Sequence, residues 1–201
     1  RSVMTQNPAP LTREQEDACT RILKEELIAA TGCTEPIAIA YCAALAARAL
    51  GKRPERISAW CSGNVIKNTK TVTVPNTGGL KGIKAAVLAG AFYGDADRAL
   101  ETLAGITHQA AEDIARLAKD MEVPVSLLNT GHALHIRVAC AAGESLAEAE
   151  IRDNHTHVAG VWRNGELIQA DEAPQAGEER AEPPCQLSLA LILAYARQAP
   201  L

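Results

Sequence analysis

Aromatic side chains are scarce in this sequence. Two Trp, three Tyr and one Phe make up only 3% of the 201 residues. Because large rings are few, the core has to be built mainly from Ala, Val, Leu and Ile. Such a core offers little stacking surface, and it allows neighbouring backbones to approach each other closely.

A basic excess and a long apolar run are also lacking. The 20 Lys and Arg residues are outnumbered by 24 Asp and Glu residues, which gives a net charge of −4 at pH 7. A nucleic-acid surface needs clustered basic residues, so we expect no nucleic-acid partner. No apolar run reaches the roughly 18 residues of a membrane-spanning helix, and the N-terminus lacks a signal-peptide pattern. We therefore expect neither membrane association nor export.

The cysteines show no metal-binding or disulfide-framework spacing. There are six of them, and no two form a C-x-x-C pair. Neither a zinc ribbon nor a complete iron–sulfur ligand set can be assembled from this local spacing. Widely scattered cysteines in a mid-sized chain without an export signal indicate reduced thiols in a cytoplasmic protein.

Hydrophobic periodicity predicts both helices and strands. Helices are expected at 13–30, 36–51, 80–92, 96–121 with a break at Gly105, and 186–198. Strands are expected at 57–61, 71–74, 123–128, 134–141, 146–152, 158–163 and 166–170. The later strands read as an antiparallel meander. The predicted class is α+β, with Ala-rich buried helices packed on a mainly antiparallel sheet.

The acidic, Pro-containing segment 171–184 divides the predicted fold. Five acids between Asp171 and Glu182 face a single basic residue, Arg180. This composition is typical of a solvated linker. We therefore expect an N-terminal α+β domain over 1–170, a linker over 171–184 and a C-terminal helical segment over 185–201.

The segment around Cys33 is the most informative candidate site. Cys33 stands just before the first turn of a helix that is apolar nearly all round. Unpaired N–H groups and the helix dipole at such a position stabilise a thiolate and lower the pKa of the thiol. Cys33 is then a candidate base, nucleophile or metal ligand. The alternative is a small apolar side chain that fills space at the helix cap.

Two polar segments could bind a small ligand. Asn64, Lys67 and Asn68 lie in an expected loop between strands, where amides and a lysine can orient a polar molecule. The run Thr77-Gly78-Gly79 leads into a helix and can expose backbone N–H groups to a carboxylate or phosphate. Ordinary turn chemistry explains both segments equally simply.

The histidines give a weaker signal. If His155 and His157 lie on a strand, their spacing places both rings on one face, where an imidazole-bound zinc could sit. No carboxylate or cysteine partner is fixed by the spacing. Histidines that are hydrogen-bonded within a strand or turn are the favoured interpretation.

Taken together, four segments resemble the L-cysteine desulfidase family, which is related to the iron–sulfur L-serine dehydratases through their alpha-chain domain. They are GCTEPIA at 32–38, SGNVIKN at 62–68, VPNTGG at 74–79 and NHTH at 154–157. Their order and spacing agree over nearly the whole chain. The GCTEP segment, followed by an Ala-rich helix, is the most specific of the four.

The resemblance covers only the first half of such proteins. It implies a further C-terminal domain whose cysteines hold a 4Fe-4S cluster. None of the five cysteines other than Cys33 falls on a position associated with that cluster. A 4Fe-4S cluster is therefore expected in the full-length enzyme and not in this chain alone, and the cluster-binding domain is the implied partner.

The implied reaction is elimination of sulfide from L-cysteine, or of water from L-serine, to give pyruvate and ammonia. Cys33 then suits the base that removes the α-proton, with direct ligation of iron as its competing role. Glu35 either takes part in catalysis or polarises the helix start. The substrate carboxylate is assigned to Asn64, Lys67, Asn68 and the turn Thr77, Gly78 and Gly79.

A second function from a different class remains open. The chain could be a non-catalytic module that binds an amino acid or docks a dehydratase-like subunit. The sequence does not choose between L-cysteine and L-serine, and it leaves a homo-oligomer open.

Overall fold

A six-stranded sheet carries the helices of the larger part of the chain in the computed structural model. The structure describes residues 10–27, 29–30, 32–172 and 185–199, with the backbone alone at 25 and 26. It divides into two compact units, one made of 1–28 with 174–201 and the other of 29–173. The predicted domain boundary at 170 stays a prediction, and 173–184 of the predicted linker lie outside the described residues.

The described residues form six α-helices, one 3-10 helix and six strands. The helices are α1 Arg13–Glu26, α2 Thr34–Leu50, α3 Gly63–Thr69, α4 Gly82–Tyr93, the 3-10 helix Ala96–Glu101, α5 His108–Asp120 and α6 Leu189–Gln198. The strands are β1 Arg56–Cys61, β2 Val125–Leu127, β3 His135–Ala142, β4 Ser145–Arg152, β5 Val158–Arg163 and β6 Glu166–Gln169. The α+β class is confirmed.

The sheet is mixed, with strand order β2-β1-β3-β4-β5-β6. Strands β3 to β6 form the predicted antiparallel meander, and β1 pairs antiparallel with β3. The β5–β6 turn has positive φ at both Asn164 (51°) and Gly165 (87°), as a type I′ turn requires. Strand β2 pairs parallel with β1 at the sheet edge, so the predicted strand at 123–128 exists but lies outside the meander.

Helix α2 is the central helix of the larger unit, as its uniformly apolar sequence predicts. It packs on strands β3 and β4 and on helix α4. The contact with α4 is unusually close, because a Cβ placed on Gly90 would lie 2.0 Å from the carbonyl oxygen of Ala40. The small side chains that dominate this sequence permit that backbone contact.

Two local predictions are wrong. The segment 62–68, predicted as a loop, lies mostly in helix α3 with Ser62 as its N-cap, because Val65 and Thr69 recur at helical spacing and both are buried. Residues 71–74 form no strand and make only a single bridge, between Thr73 and Lys81. The segment pairs with the chain just after it instead of with the sheet, since Val74 N–H donates to the carbonyl oxygen of Leu80.

The observed ends of the other helices differ from the predicted ends by a few residues. The capping box at Thr12 and Gln15 is confirmed, but α1 ends at Glu26 and not at residue 30. The predicted helix at 96–121 is interrupted near Gly105, as expected, and its first part is the 3-10 helix. None of the described helices combines the length and apolar character needed to cross a membrane.

Helices α1 and α6 belong to the smaller unit. The hydroxyl groups of Thr20 and Tyr195 lie 2.8 Å apart, and Leu11 N–H donates to Gln198 Oε1 at 3.1 Å. Leu191 and Ala194 are the buried side chains of α6. These contacts join the two ends of the chain in one unit.

Candidate functional site

Cys33 occupies the N-cap position of α2, as the sequence predicts. Its backbone is extended (φ −60°, ψ 127°), and its thiol is exposed at the surface of the larger unit. The preceding Gly32 lies against Pro75, because a Cβ at Gly32 would stand 2.8 Å from Pro75 Cγ. This contact places Pro75, the first residue of the turn at 75–79, against the residue before Cys33.

The carboxylate of Glu35 is the centre of the candidate site. The Cys33 thiol and the Thr34 hydroxyl both donate to Glu35 Oε2 at 3.4 Å. The Asn68 side-chain amide donates to Glu35 Oε1 at 3.2 Å. The start of α2 and the end of α3 therefore meet at one carboxylate. The segments 32–38 and 62–68, two of the four that carry the resemblance, are therefore joined by a hydrogen bond.

His155 is the fifth member of this cluster, after Glu35, Cys33, Thr34 and Asn68. It lies in the turn between β4 and β5, and its charge interaction with Glu35 favours the ionised carboxylate. Its Nε2 atom is buried and has no hydrogen-bond partner among the described residues. From the sequence, His155 was either a hydrogen-bonded histidine of a strand or turn, which was the favoured interpretation, or a zinc ligand. The signal was present in the NHTH segment, but nothing in the sequence connects residue 155 to residue 35.

The turn that carries His155 is shaped by Asn154. Its side-chain oxygen accepts hydrogen bonds from the backbone N–H groups of Thr156 at 3.0 Å and His157 at 2.8 Å. The paired histidines thus lie in a turn and not on a strand, so the shared strand face on which the zinc alternative depended does not form. His157 is buried, and its Nδ1 donates to the Arg152 carbonyl oxygen at 2.9 Å.

The pKa of Glu35 lies below its ordinary value. Partial burial opposes ionisation, but hydrogen bonds from its own backbone N–H, from Cys33 and from Asn68 outweigh it, and His155 adds to them. Glu35 is consequently a carboxylate at neutral pH.

The pKa of the Cys33 thiol is raised, which corrects the expectation of a lowered value. Partial desolvation is the main cause, followed by the hydrogen bond to Glu35 and the charge of that carboxylate. The N–H groups of Thr34 and Glu35 do lower the pKa, as expected at a helix start, but they are outweighed. The resting thiol is therefore protonated at neutral pH.

The predicted substrate-binding residues of α3 other than Asn68 make no hydrogen bond to Glu35. Asn64 and Lys67 are exposed on α3. Asn64 lines a separate surface cavity of about 330 Å³ together with Ser62, Gly63, Thr130, Gly131, His132 and Ala133. Because the segment is helical, its two asparagines lie at different sites. Asn68 donates to Glu35, whereas Asn64 lines the separate cavity.

The turn at 77–79 precedes helix α4, which begins at Gly82 and not at residue 80 as predicted. Thr77 is buried and its hydroxyl donates to the carbonyl oxygen of Val74 at 2.8 Å, which stabilises the turn. Gly78 and Gly79 are exposed with positive φ (71° and 94°). Within the described residues, neither glycine N–H donates to a protein oxygen. These two N–H groups remain candidate donors to an anion.

Metal ligation is not supported by a built ligand set. Among the described residues, no group of three or more His, Cys, Asp or Glu side chains is arranged to hold a metal ion. His132 and His135 instead pair with acids, at 2.5 Å to Asp153 and 3.0 Å to Glu150. Cys33 is the thiol at the candidate site.

Replacing Glu35 by Gln is expected to speed alkylation of Cys33. The substitution removes a negative charge that raises the pKa of the thiol, so the thiolate fraction at a given pH increases. Desolvation remains, and we expect roughly a threefold faster reaction with iodoacetamide at pH 8. The rate is measured by mass spectrometry of the Cys33 peptide. Glu112→Gln, on α5, is the matched control. An unchanged or slower rate would show that Glu35 does not hold the Cys33 proton.

Comparison with known proteins finds relatives of greater length. The chain is 39% identical over 175 residues to the UPF0597 protein of Desulfitobacterium hafniense (strain Y51), which covers 87% of this chain and 41% of that protein. It is 35% identical over 192 residues to the UPF0597 protein of Bacteroides fragilis, covering 95% of this chain and 44% of the relative.

A third relative is also matched over most of this chain but over less than half of its own length. The UPF0597 protein of Chromobacterium violaceum is 40% identical over 156 residues, which are 78% of this chain and 36% of the relative. No model of a known protein family matches the chain, and no solved structure matches it significantly. The chain is thus similar to UPF0597 proteins, and it spans about two fifths of the length of these curated relatives.

Proposed function

We propose that this chain is the N-terminal part of a lyase of the L-cysteine desulfidase and serine dehydratase type. In this proposal it eliminates sulfide, or water, from a small amino acid to yield pyruvate and ammonia. The observation that carries it is the pair of hydrogen bonds from Cys33 and Asn68 to the Glu35 carboxylate, with His155 within range of a charge interaction. A thiol, an ionised acid and an imidazole within one site supply the acid–base groups that an elimination needs.

Glu35 suits the ammonium group of the substrate. It is ionised, half-buried and already oriented by Asn68, so a bound cation meets a fixed negative charge. The substrate carboxylate then has donors in the N–H groups of Gly78 and Gly79. The Gly32–Pro75 contact keeps that turn beside the thiol.

Cys33 becomes a base only when a positive charge arrives. Its proton is held because partial desolvation raises the pKa of the thiol, and the hydrogen bond to Glu35 and the charge of that carboxylate raise the pKa further. The ammonium group of the substrate neutralises Glu35 and thereby lowers the pKa of the thiol. Because the Cys33 thiol is exposed, the released proton passes to solvent.

The elimination balances without an external oxidant or reductant. The Cys33 thiolate removes the α-proton, the released electron pair forms the Cα–Cβ double bond, and the Cβ–S bond breaks with its electrons on sulfur. Sulfide leaves after taking a proton. The aminoacrylate tautomerises and is hydrolysed to pyruvate and ammonia.

A 4Fe-4S cluster belongs to the full-length enzyme in this proposal. The described residues do not fit a complete cluster site, because they contain no group of three or more metal-ligating side chains in suitable positions. The cluster ligands would therefore come from the C-terminal domain that we propose as partner, with Cys33 as the one thiol this site could add. When bound, such a cluster supplies a Lewis acid for the leaving group. We propose a cytoplasmic location for this chemistry.

Turnover by the protein expressed from its natural reading frame tests the proposal. After anaerobic reconstitution with iron and sulfide, we expect L-cysteine to release sulfide and pyruvate in equal amounts, and D-cysteine to release neither. L-Serine in the same assay decides the substrate.

Calorimetry on this chain distinguishes the proposed lyase from the alternative function, a non-catalytic module that binds an amino acid. A binding module without catalysis would take up L-cysteine tightly in the absence of iron, with a Kd of about 10 μM or lower. We expect no such heat, because half of the proposed site lies elsewhere. Tight binding together with no product release would replace the lyase by the amino-acid-binding module.

A further inference from the structure

A surface cavity of about 550 Å³ lies at the C-terminal ends of α2 and α4, in the larger unit. The buried residues that line it are all apolar, and Ala44, Gly90 and Ala91 form its floor. A volume of this order is typical of sites that bind small molecules. Neither Cys33 nor Glu35 is among the lining residues, and both lie at the opposite end of α2. This α2–α4 cavity is therefore separate from the candidate site.

Arg53 is a lining cation without an acidic partner. Its guanidinium group lies over the Phe92 ring, 4.6 Å from the ring centroid, and Phe92 also lines the cavity. In the part of the chain that the structure describes, no carboxylate pairs with Arg53 and no oxygen accepts from its N–H groups. Lys52, a second lining cation, donates to Ser145 Oγ at 3.3 Å. Arg53 thus keeps a planar set of donors that can hold a carboxylate through two parallel hydrogen bonds.

Acceptors for a cation line the same cavity. Asp95 and Asp97 lie just after the end of α4. Arg48 Nη1 donates to Asp97 Oδ1 at 2.6 Å, so the charge of Asp97 is already balanced. Asp95 accepts only the backbone N–H of Asp97, at 3.0 Å, and it pairs with no basic side chain of the described residues. The C-terminal ends of α2 and α4 add partial negative charge. The cavity therefore offers an uncompensated anion as well as an uncompensated cation.

We propose that the α2–α4 cavity binds a free amino acid with an apolar side chain. Arg53 donates to the carboxylate of the ligand, Asp95 accepts from its ammonium group, and its side chain lies on the apolar floor. A ligand with one charge uses only one of these groups. A phosphate or nucleotide brings further negative charge beside the acids and the helix C-termini, which disfavours it. This inference does not depend on the proposed lyase activity, because the cavity and the Glu35 site share no residue.

Calorimetry with L-leucine tests the proposal on this chain. We expect a Kd of about 0.1 to 1 mM, which is ordinary for so small a ligand. L-Leucinamide lacks the carboxylate and 4-methylpentanoate lacks the ammonium group. Each analogue is expected to bind at least about tenfold more weakly, because it loses a charged hydrogen bond. Inorganic phosphate is expected to give no binding in the same range.

Two variants test the assigned contacts. Arg53→Gln and Asp95→Asn are each expected to weaken L-leucine binding at least about tenfold. The asparagine keeps an oxygen for the backbone N–H of Asp97, so the start of the 3-10 helix is preserved. Arg98→Gln is the matched control, since Arg98 is an exposed cation of the same segment that does not line the cavity. It is expected to bind L-leucine as the parent chain does.

Circular dichroism verifies that each variant is folded, and the two ligand analogues test the same contacts on the unaltered chain. Absence of L-leucine binding, or equal binding of L-leucinamide, would overturn the inference. L-Leucine binding that is lost in Glu35→Gln and kept in Arg53→Gln would also overturn it, because the ligand would then lie at the other end of α2.

Discussion

Replacing Cys33 by Ser is expected to lower the turnover number for sulfide release from L-cysteine by about 10³-fold in the reconstituted protein. The hydroxyl can keep the hydrogen bond to Glu35, so the local structure is preserved. Its pKa lies far above that of a thiol, however, and the neutralisation of Glu35 by the substrate does not ionise it. The KM for L-cysteine should change little, because the proposed binding contacts belong to Glu35 and to the turn at 77–79.

The iron content of the same variant separates the two roles of Cys33. If Cys33 is the base, the iron bound per protein stays unchanged while turnover is lost. If Cys33 is instead a cluster ligand, iron and activity fall together. Cys185→Ser, assayed under reducing conditions, is the control, since it removes a thiol in the smaller unit and should keep full activity. Full turnover by Cys33→Ser would eliminate both roles.

Replacing Gly90 by Ala is expected to destabilise the larger unit by about 3 kcal/mol. The added methyl group would lie 2.0 Å from the Ala40 carbonyl oxygen and 2.6 Å from its carbonyl carbon. Both atoms belong to the backbone of α2, so the clash cannot be relieved by a side-chain rotation. Helix α4 has to move away from α2, and the buried contacts along both helices then loosen.

Urea unfolding followed by circular dichroism measures this effect. Gly105→Ala is the matched control, because a Cβ there meets no atom within 4 Å and the backbone needs no positive φ. We expect that control to change stability by no more than about 0.5 kcal/mol. Equal midpoints for the two variants would mean that α2 and α4 are not in backbone contact.

Elements defined by local chemistry could be predicted from the sequence. The alternating pattern of β3 to β5 and the Asn164-Gly165 turn give the meander, since side-chain alternation and positive φ are local properties. The apolar run of α2 likewise predicts its central place. Helix α3 was not predicted because it is only seven residues long and its sequence is polar and rich in turn-forming residues. The burial of Val65 and Thr69 in the folded chain decides that it is helical.

Some features of the candidate site could likewise be predicted from the sequence, and others could not. Cys33 and Glu35 lie within one helical turn, so their closeness follows from the sequence once α2 is recognised. The direction of the pKa shift of the thiol does not, because desolvation and the orientation of the Glu35 side chain decide it. His155 comes from a turn more than a hundred residues away, and only the packing of the β4–β5 turn near the start of α2 connects it to Glu35.

The sequence by itself determined the α+β class, the Ala-rich central helix and the cap position of Cys33, because these depend on periodicity, residue size and hydrogen bonding between near neighbours. The tertiary structure alone decided that Asn68 binds Glu35, that His155 comes within range of the Glu35 charge, and that the Cys33 thiol stays protonated. Contacts between distant segments and the removal of water from a charged group are properties of the packed chain, and no local pattern encodes them.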